Sequence, residues 1–384
     1  MKFFFLFFTF AAFACTDFAL KSADGALVNG RSLEFAMDLQ AKIQVFSRKM
    51  EISSLGSSGE PGMQWVSQYG FLGVTAFGKN FTVDGMNEKG LSCGLLWMPT
   101  TQYQTISVGD MEMPLDFVDL GVWILGNFAS VAEVKEALKG VRVWGHPVPP
   151  LPGIPPLHIA IHDAMGNHLV VEFIKGKMLV YDNPNTVLTN YPPFDWMLIN
   201  LQNYIHLSAF NVPVVKFQSA AFGQTGQGSG MLGLPGDWTP PSRFVRMTTF
   251  LRFAKQAENA LEAINLAEHL LNTVDIPLGM IRERTHIGAG LDSTQWIVIK
   301  DLTNKVFYFR SYKDLALKSI DMKRVNFNPG SKGSISIDMG RGCMDVTASL
   351  KNSSQPQMQI SDASTLPQNL SHYLGENPVP AKDP

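Results

Sequence analysis

Polar and apolar residues alternate over residues 15–22, a turn follows at Ala23-Asp24-Gly25, and the pattern resumes over 26–35. An Asp-Gly step between two such runs predicts a β-hairpin. Cys15 therefore opens a strand, expected at the edge of a sheet. Residues 43–46 add a short apolar run, and 81–98 reads as strand and turn around Asp84-Gly85 and Lys89-Gly90. Residues 115–128 have helical apolar spacing. Ser130-Val-Ala-Glu133 is a capping box that opens a second helix through Leu138, with Gly140 as its stop. The Pro-rich stretch 145–156 is a loop. Residues 157–161, 168–174 and 177–181 form a meander, with turns at Met165-Gly166-Asn167 and Lys175-Gly176. Residues 194–207 are expected to be helical, 223–241 a Gly/Pro loop, and 242–255 and 259–272 two further helices. A hairpin over 296–300 and 306–311 turns at residues 302–305. The Ser/Gln/Pro-rich segment 351–384 is expected to be a poorly ordered tail. Residues 15–350 thus read as one α+β domain with two β-rich halves and helices between them.

The first residues depart from all of this. Met1-Lys2 precedes an almost unbroken apolar run over 3–14 that ends in Ala12-Phe13-Ala14, directly before Cys15. A short positive start, an apolar core of about 7–15 residues and a small-x-small exit describe an export signal, so residues 1–14 are expected to be a signal peptide. Three readings stay open on these residues alone. The cut could precede a cysteine by chance, it could make Cys15 a functional N-terminus, or Cys15 could carry lipid. Ala12 fits the lipid reading poorly, since a bulky aliphatic residue usually stands three before a lipidated Cys. Any of the three places the protein outside the cytoplasm, periplasmic or secreted.

Composition narrows the classes. The 384 residues are 45% hydrophobic and 17% charged, enough for a packed core. A net charge of −2 argues against nucleic-acid binding. Three cysteines are too few for a disulfide scaffold. No internal stretch approaches the roughly 20 apolar residues of a spanning helix.

A cysteine at a free N-terminus is a self-contained catalyst. Its thiol is the nucleophile, and its α-amine, with an ordinary pKa of about 7.7–8.0, can take and return the proton. Such chemistry needs cations near the thiol, a group to orient the amine and donors for an oxyanion. Arg31 returns alongside Cys15 on the second strand of its hairpin, with Glu34 three residues on. Asn190 ends the meander, and Arg243 follows the Gly/Pro loop. Each of these alone has a plain alternative as a surface or loop residue.

Five motifs occur in order: Cys15-Thr16, Asn29-Gly-Arg31-Ser-Leu-Glu34, Asp84-Gly-Met-Asn-Glu-Lys-Gly-Leu91, Leu188-Thr-Asn190-Tyr-Pro192 with Phe194-Asp-Trp196, and Gly233-Leu-Pro-Gly-Asp-Trp-Thr-Pro-Pro-Ser-Arg243-Phe244. From Cys15 to about Met322 the chain resembles the choloylglycine hydrolase and penicillin V acylase family, whose members are N-terminal-nucleophile hydrolases of linear amides. The resemblance implies an αββα sandwich, two antiparallel sheets between helical layers. It favours the catalytic reading of Cys15, with Arg31 and Arg243 flanking the thiol and Glu34 holding the α-amine. Asn190 and Trp97 would then donate to the oxyanion. It implies no cofactor and no metal, a small amide as partner (a bile salt, penicillin V or an acyl-homoserine lactone), and a homo-oligomer, often a tetramer. Phe35, Phe71, Trp97 and Trp196 are expected to line the acyl pocket. Two positions depart from the family pattern. Glu34 stands where Asp is usual, which keeps the charge and adds a methylene. Trp97 stands where many bile-salt hydrolases have Asn. If the donor there is the backbone N–H, the indole reshapes the pocket and spares the chemistry.

Other signals point to less. Gly228-Ser-Gly-Met-Leu-Gly233 matches a dinucleotide fingerprint, but Pro235 and Pro240-Pro241 follow where a helix should start. It reads better as a flexible loop bordering the site. His158 and His162 share a strand face without the partners of a metal site. Cys93 and Cys343 could be bonded or free. The competing class of function is a non-enzymatic exported lipoprotein or ligand-binding module.

Overall fold

The computed structural model describes residues 14–107, 113–151, 153–285 and 288–340. The run 1–14 expected to direct export (Ala14 apart), Cys343 and the segment 351–384 expected to be a tail lie outside them. The chain opens with the expected hairpin, β1 (Cys15–Lys21) and β2 (Leu27–Glu34), with Gly25 turning at φ +92°. There follow β3 (Lys42–Phe46), β4 (Glu51–Leu55), β5 (Pro61–Val66), β6 (Phe71–Ala76), β7 (Phe81–Asn87), β8 (Ser92–Trp97) and β9 (Met113–Asp116). Helices α1 (Phe117–Asn127) and α2 (Val131–Ala137) come next, their first turns capped by the side chains of Asp116 and Ser130. Strand β10 (Val141–Trp144) leads to the meander β11 (Leu157–His162), β12 (His168–Ile174) and β13 (Lys177–Asp182), and then to the short β14 (Val187–Leu188). After α3 (Phe194–Leu201) come β15 (Val215–Phe217), β16 (Ala220–Phe222), α4 (Pro240–Phe253) and α5 (Ala260–Asn272). The remainder is β17 (Ile281–Thr285), β18 (Gly288–Asp292), β19 (Thr294–Asp301), β20 (Val306–Ser311), β21 (Asp314–Asp321) and β22 (Ser334–Ser336).

Two antiparallel sheets dominate. One has six strands in the order β14-β1-β2-β19-β20-β21, the other eight in the order β13-β12-β11-β8-β7-β6-β3-β22. Helix α1 covers β7 and β8 of the larger sheet, while α5 covers β2 and β19 of the smaller and α4 lies against β1. This is the αββα sandwich that the resemblance implies. It follows from the pattern: α5 buries Ile264, Ala267 and Leu271 along one face. Strands β2, β7 and β8 are buried on both faces because a helix covers one and the partner sheet the other.

The layer between the sheets is polar where one would expect oil. Arg31 of β2 and Lys300 of β19 both bond Asp84 of β7, at 2.9 and 2.7 Å, and all three side chains have zero exposure. Ser92 donates to Asn29 at 2.7 Å, and His162 meets Asp17 at 2.6 Å, so β8 and β11 are also tied to the smaller sheet. Asp84-Gly85 is consequently not a turn. It runs straight through β7, because Asp84 is the counter-ion of two cations. A Cβ on Gly85 would lie 2.6 Å from Leu125 Cδ1 and from Leu72 O, so the glycine is there for close packing. The turn is at Lys89-Gly90, where Gly90 has φ +86°.

Three other expectations need correction. Strand β1 is not the sheet edge, since β14 pairs outside it at Asp17 and Phe18. The helix expected over 194–207 ends at Leu201 and tightens into a 3₁₀ turn at Gln202–Tyr204. The second helix, expected through Leu138, is α only to Ala137, and Leu138–Gly140 is 3₁₀.

Removing Asp84 would leave two buried cations without a counter-ion. Asp84→Ala should therefore lower unfolding stability by about 3–5 kcal/mol in urea titrations. A loss below about 1 kcal/mol would show that the layer does not hold the sheets.

Candidate active site

Register places the site. Cys15 pairs with Leu33 and Asp17 with Arg31. Directly opposed residues share a face, so the thiol and the Arg31 side chain both enter the inter-sheet layer. Cys15 is 4% exposed. Its backbone nitrogen donates to Asn190 Oδ1 at 2.8 Å. Asn190 Nδ2 donates to Trp97 O at 2.7 Å, which fixes which way the amide points. Arg243, at the start of α4, closes the cluster. Its Nη1 donates to the Cys15 carbonyl and, at 2.7 Å, to Thr16 Oγ1, and its Nη2 donates to Asn190 Oδ1, also at 2.7 Å. Its Nε donates to Trp238 O at 2.8 Å.

The charges around the thiol compete. Burial pushes the Cys15 thiol above its ordinary value. Arg31 pulls it back, Glu34 raises it, and Arg243 and the Trp97 backbone N–H pull it down. The backbone N–H of residue 97 is thus a group directed at the thiol. Arg31 itself is held away from solvent by Val83 O at 2.5 Å, by Leu95 O and by Asp84, with Trp296 under its guanidinium at 5.5 Å. On balance the burial favours the SH form over the thiolate.

Glu34 bonds to the neighbouring strand β19. Its Oε1 accepts from Thr294 Oγ1 at 3.1 Å, while Cys15 N is held by Asn190. The Glu34 backbone N–H donates to the Ala14 carbonyl at 2.9 Å. Burial pushes its carboxyl up to about 8, with Arg243 opposing the rise and Asp292 adding to it.

The sulfur heads an apolar cavity of about 50 Å³ lined by Leu33, Phe35, Phe77, Phe81, Trp97 and Leu157, among others. Phe35 and Trp97 meet edge to face at 6.4 Å. Phe35 also borders a wider cleft of about 480 Å³ with Trp296, Gln295 and Tyr312. Of the four expected pocket residues, Phe35 and Trp97 are at the cavity. Phe71 is not: it is stacked on Phe46 at 4.4 Å in the core. Trp196 is not either, being 42% exposed on α3. The Gly228–Gly233 stretch does not line the cavity, and its only regular piece is the 3₁₀ turn Ser229–Met231. His158 bonds Glu172 and Thr189 O, and His162 bonds Asp17 and His168, so neither ring faces the other across an ion site. Cys93 is a buried free thiol in β8, and burial pushes its pKa beyond the ordinary range.

Sequence reasoning passed over Thr16 as a partner of Arg243, Thr294 as the partner of Glu34, and the pair His158–Glu172 behind Asn190. The only signal for the last was polar residues at buried-strand positions. The fold and this cysteine-centred site together define a hydrolase of linear amide C–N bonds built on the αββα sandwich. The model of the linear amide C–N hydrolases, choloylglycine hydrolase family, matches residues 15–336, and the chain belongs to that family. It is 34% identical over 320 residues to a bile salt hydrolase/transferase of Clostridium perfringens, covering 82% of this chain and 94% of that one. It is 25% identical to a penicillin V acylase of Pectobacterium atrosepticum, over 82% of this chain and 81% of the other. Among solved structures, the conjugated bile acid hydrolase of Clostridium perfringens superposes with a TM-score of 0.76 at 30% identity, covering 86% of this chain and 99% of that one. Penicillin V acylase of Agrobacterium tumefaciens superposes at 0.67 with 25% identity, over 83% and 90% of the two chains.

The raised carboxyl of Glu34 has a signed consequence for stability. Its protonated form is favoured by folding, so that contribution is complete below about 4.5 and is lost as pH rises through about 8. Glutamine keeps the shape without titrating. In the full-length chain the melting temperature of wild type relative to Glu34→Gln should fall between pH 5 and pH 9. A difference that stays flat across that range would contradict the burial account.

Proposed function

We propose that residues 1–14 direct export and are cut after Ala14, and that Cys15 then works as an N-terminal nucleophile in the periplasm or outside the cell. The observation that carries this reading is the nitrogen of Cys15 on Asn190 Oδ1, with its sulfur at the head of the apolar cavity and two guanidiniums beside it. The freed α-amine takes the thiol proton as sulfur attacks the substrate carbonyl. The oxyanion is met by the Trp97 N–H and the Asn190 amide. As the C–N bond breaks, the ammonium returns its proton to the leaving amine, and a thioester remains. Water then attacks the thioester, passes a proton to the α-amine and releases the acid, and sulfur recovers its hydrogen. Only groups of the chain and water take part.

The substrate is an amide with an apolar acyl group. Conjugated bile salts come first, because bile salt hydrolases recur among the relatives. One observation favours a slimmer acyl group, such as that of penicillin V or an acyl-homoserine lactone. The cavity holds about 50 Å³, against roughly 300–1,000 Å³ for sites of drug-sized ligands. A sterol would need Phe35 to swing aside and join the cavity to the neighbouring cleft.

Cys15→Ala should lose activity by about 10³-fold or more on whichever of glycocholate, taurocholate, penicillin V and acyl-homoserine lactones the wild type cleaves. Undiminished turnover by that variant ends the proposal. A diacylglyceryl mass on Cys15 would point instead to an inert lipoprotein. Phe35→Ala should shift the preference within the panel toward the bulkier acyl group.

Self-assembly belongs to the same proposal. Among the described residues, strands β15 and β16 pair only with each other, and an isolated two-stranded ribbon is marginal in water. Phe210, Phe217 and Phe222 on this arm are 85%, 68% and 60% exposed. We propose that a second copy of the chain covers them, as the family's homo-oligomers imply. Light scattering should then find a smaller species for Phe217→Ser/Phe222→Ser than for wild type. Equal masses would place the arm outside any assembly.

A further inference from the structure

We infer that His158 and Glu172 are positioning residues that hold Asn190 against the nitrogen of Cys15. The inference rests on the reading of Cys15 given above and deepens it.

Residues 189–193 form the link that carries Asn190 from β14 to α3. Two prolines in this link, Pro192 and Pro193, offer no N–H, so little of its own backbone can fix it. Both of its ends are gripped from the larger sheet. His158 of β11 meets Thr189 O through Nε2 at 2.9 Å and Glu172 Oε1 through Nδ1 at 3.1 Å. Glu172 of β12 then accepts the Phe194 N–H at 3.0 and 3.2 Å, at the first residue of α3. Both side chains have zero exposure. Thr189 Oγ1 also donates to Pro240 O at 3.0 Å, which ties the link to the helix carrying Arg243.

The proton count in this pair is forced. A carbonyl and a backbone N–H have fixed roles, so Nε2 must carry a hydrogen and Glu172 must accept from Phe194. The remaining contact, Nδ1 to Oε1, then needs one shared proton, either on an imidazolium facing a carboxylate or on a carboxylic acid facing a neutral ring. Both forms are neutral as a pair, which suits a site without solvent. His158 also pairs across the sheet with Leu96, next to Trp97, whose carbonyl receives the Asn190 amide. One rigid strand segment therefore sets both the link that bears Asn190 and the carbonyl that orients it. Neither residue touches substrate, and each acts through Asn190.

The test uses the mature enzyme, a panel substrate that it cleaves, and Cys15→Ala measured first. If Cys15→Ala stays active, the reading of Cys15 has failed, and with it the ground of this inference. If Cys15→Ala is dead, the remaining variants judge the positioning alone. His158→Phe and Glu172→Leu should lower kcat by about 10- to 100-fold with KM within about threefold. Glu172→Gln should stay within about threefold of wild type in both constants. Its amide can donate to a neutral Nδ1 while its oxygen still accepts from Phe194. In an Asn190→Ala background, His158→Phe should cost little more, since its effect passes through Asn190. Wild-type kcat in His158→Phe, full additivity with Asn190→Ala, or Glu172→Gln falling as far as Glu172→Leu would each overturn the inference. If the two disruptive variants do not fold, Glu172→Gln decides alone, and a loss in kcat beyond tenfold refutes it.

Discussion

A guanidinium without water around it must find its acceptors in the protein. Arg243 has zero exposure and finds four: the carbonyls of Cys15 and Trp238, the hydroxyl of Thr16 and the side-chain oxygen of Asn190. These come from the first strand, the loop before α4 and the link before α3. The position of Cys15 is thus tied to the needs of a buried charge, and the rest of the site is built around that constraint. Asn190 Oδ1, shared between Arg243 and Cys15 N, is where the structural requirement and the chemical one meet.

The same burial creates the chemical problem. Taking the thiol out of water favours SH over S⁻, and two guanidiniums do not reverse the balance. A preformed thiolate is the usual device of reactive cysteines, and burial works against one here. The proposed α-amine base resolves the difficulty because it removes the proton during attack and costs no standing charge separation. The layer behind it is arranged to stay electrically quiet. Arg31 and Lys300 share Asp84, and Asp17 is held below the ordinary carboxylate range by His162, Lys300 and Arg31 against its own burial.

Much of this was legible in the chain, and what was not has a physical cause. Hairpin, meander, capped helices and the order of Cys15, Arg31, Glu34, Asn190 and Arg243 can be read because period, turn chemistry and motif are local. Asp84-Gly85 misled because the same dipeptide serves a turn and a buried ion with a close-packed neighbour. Only the cations of two other strands distinguish them. Phe71 and Trp196 misled for a related reason: aromatic residues near motifs can face core, pocket or solvent, and strand pairing decides which. Strands β4 and β5 escaped notice because they are largely exposed, and β9 and β10 because they are only four residues each. His158–Glu172 was invisible for want of any pattern that marks two polar residues in successive strands as partners.

Glu34 shows what the proposed cleavage after Ala14 would change. While Ala14 is attached, its carbonyl occupies the Glu34 N–H and the nitrogen of Cys15 is a neutral amide. Burial holds Glu34 up to about 8, against the pull of Arg243. The proposed cut after Ala14 would replace that amide by an amine. A carboxyl kept protonated by burial carries no charge to stabilise an ammonium, so the amine stays available as the base that the proposal needs.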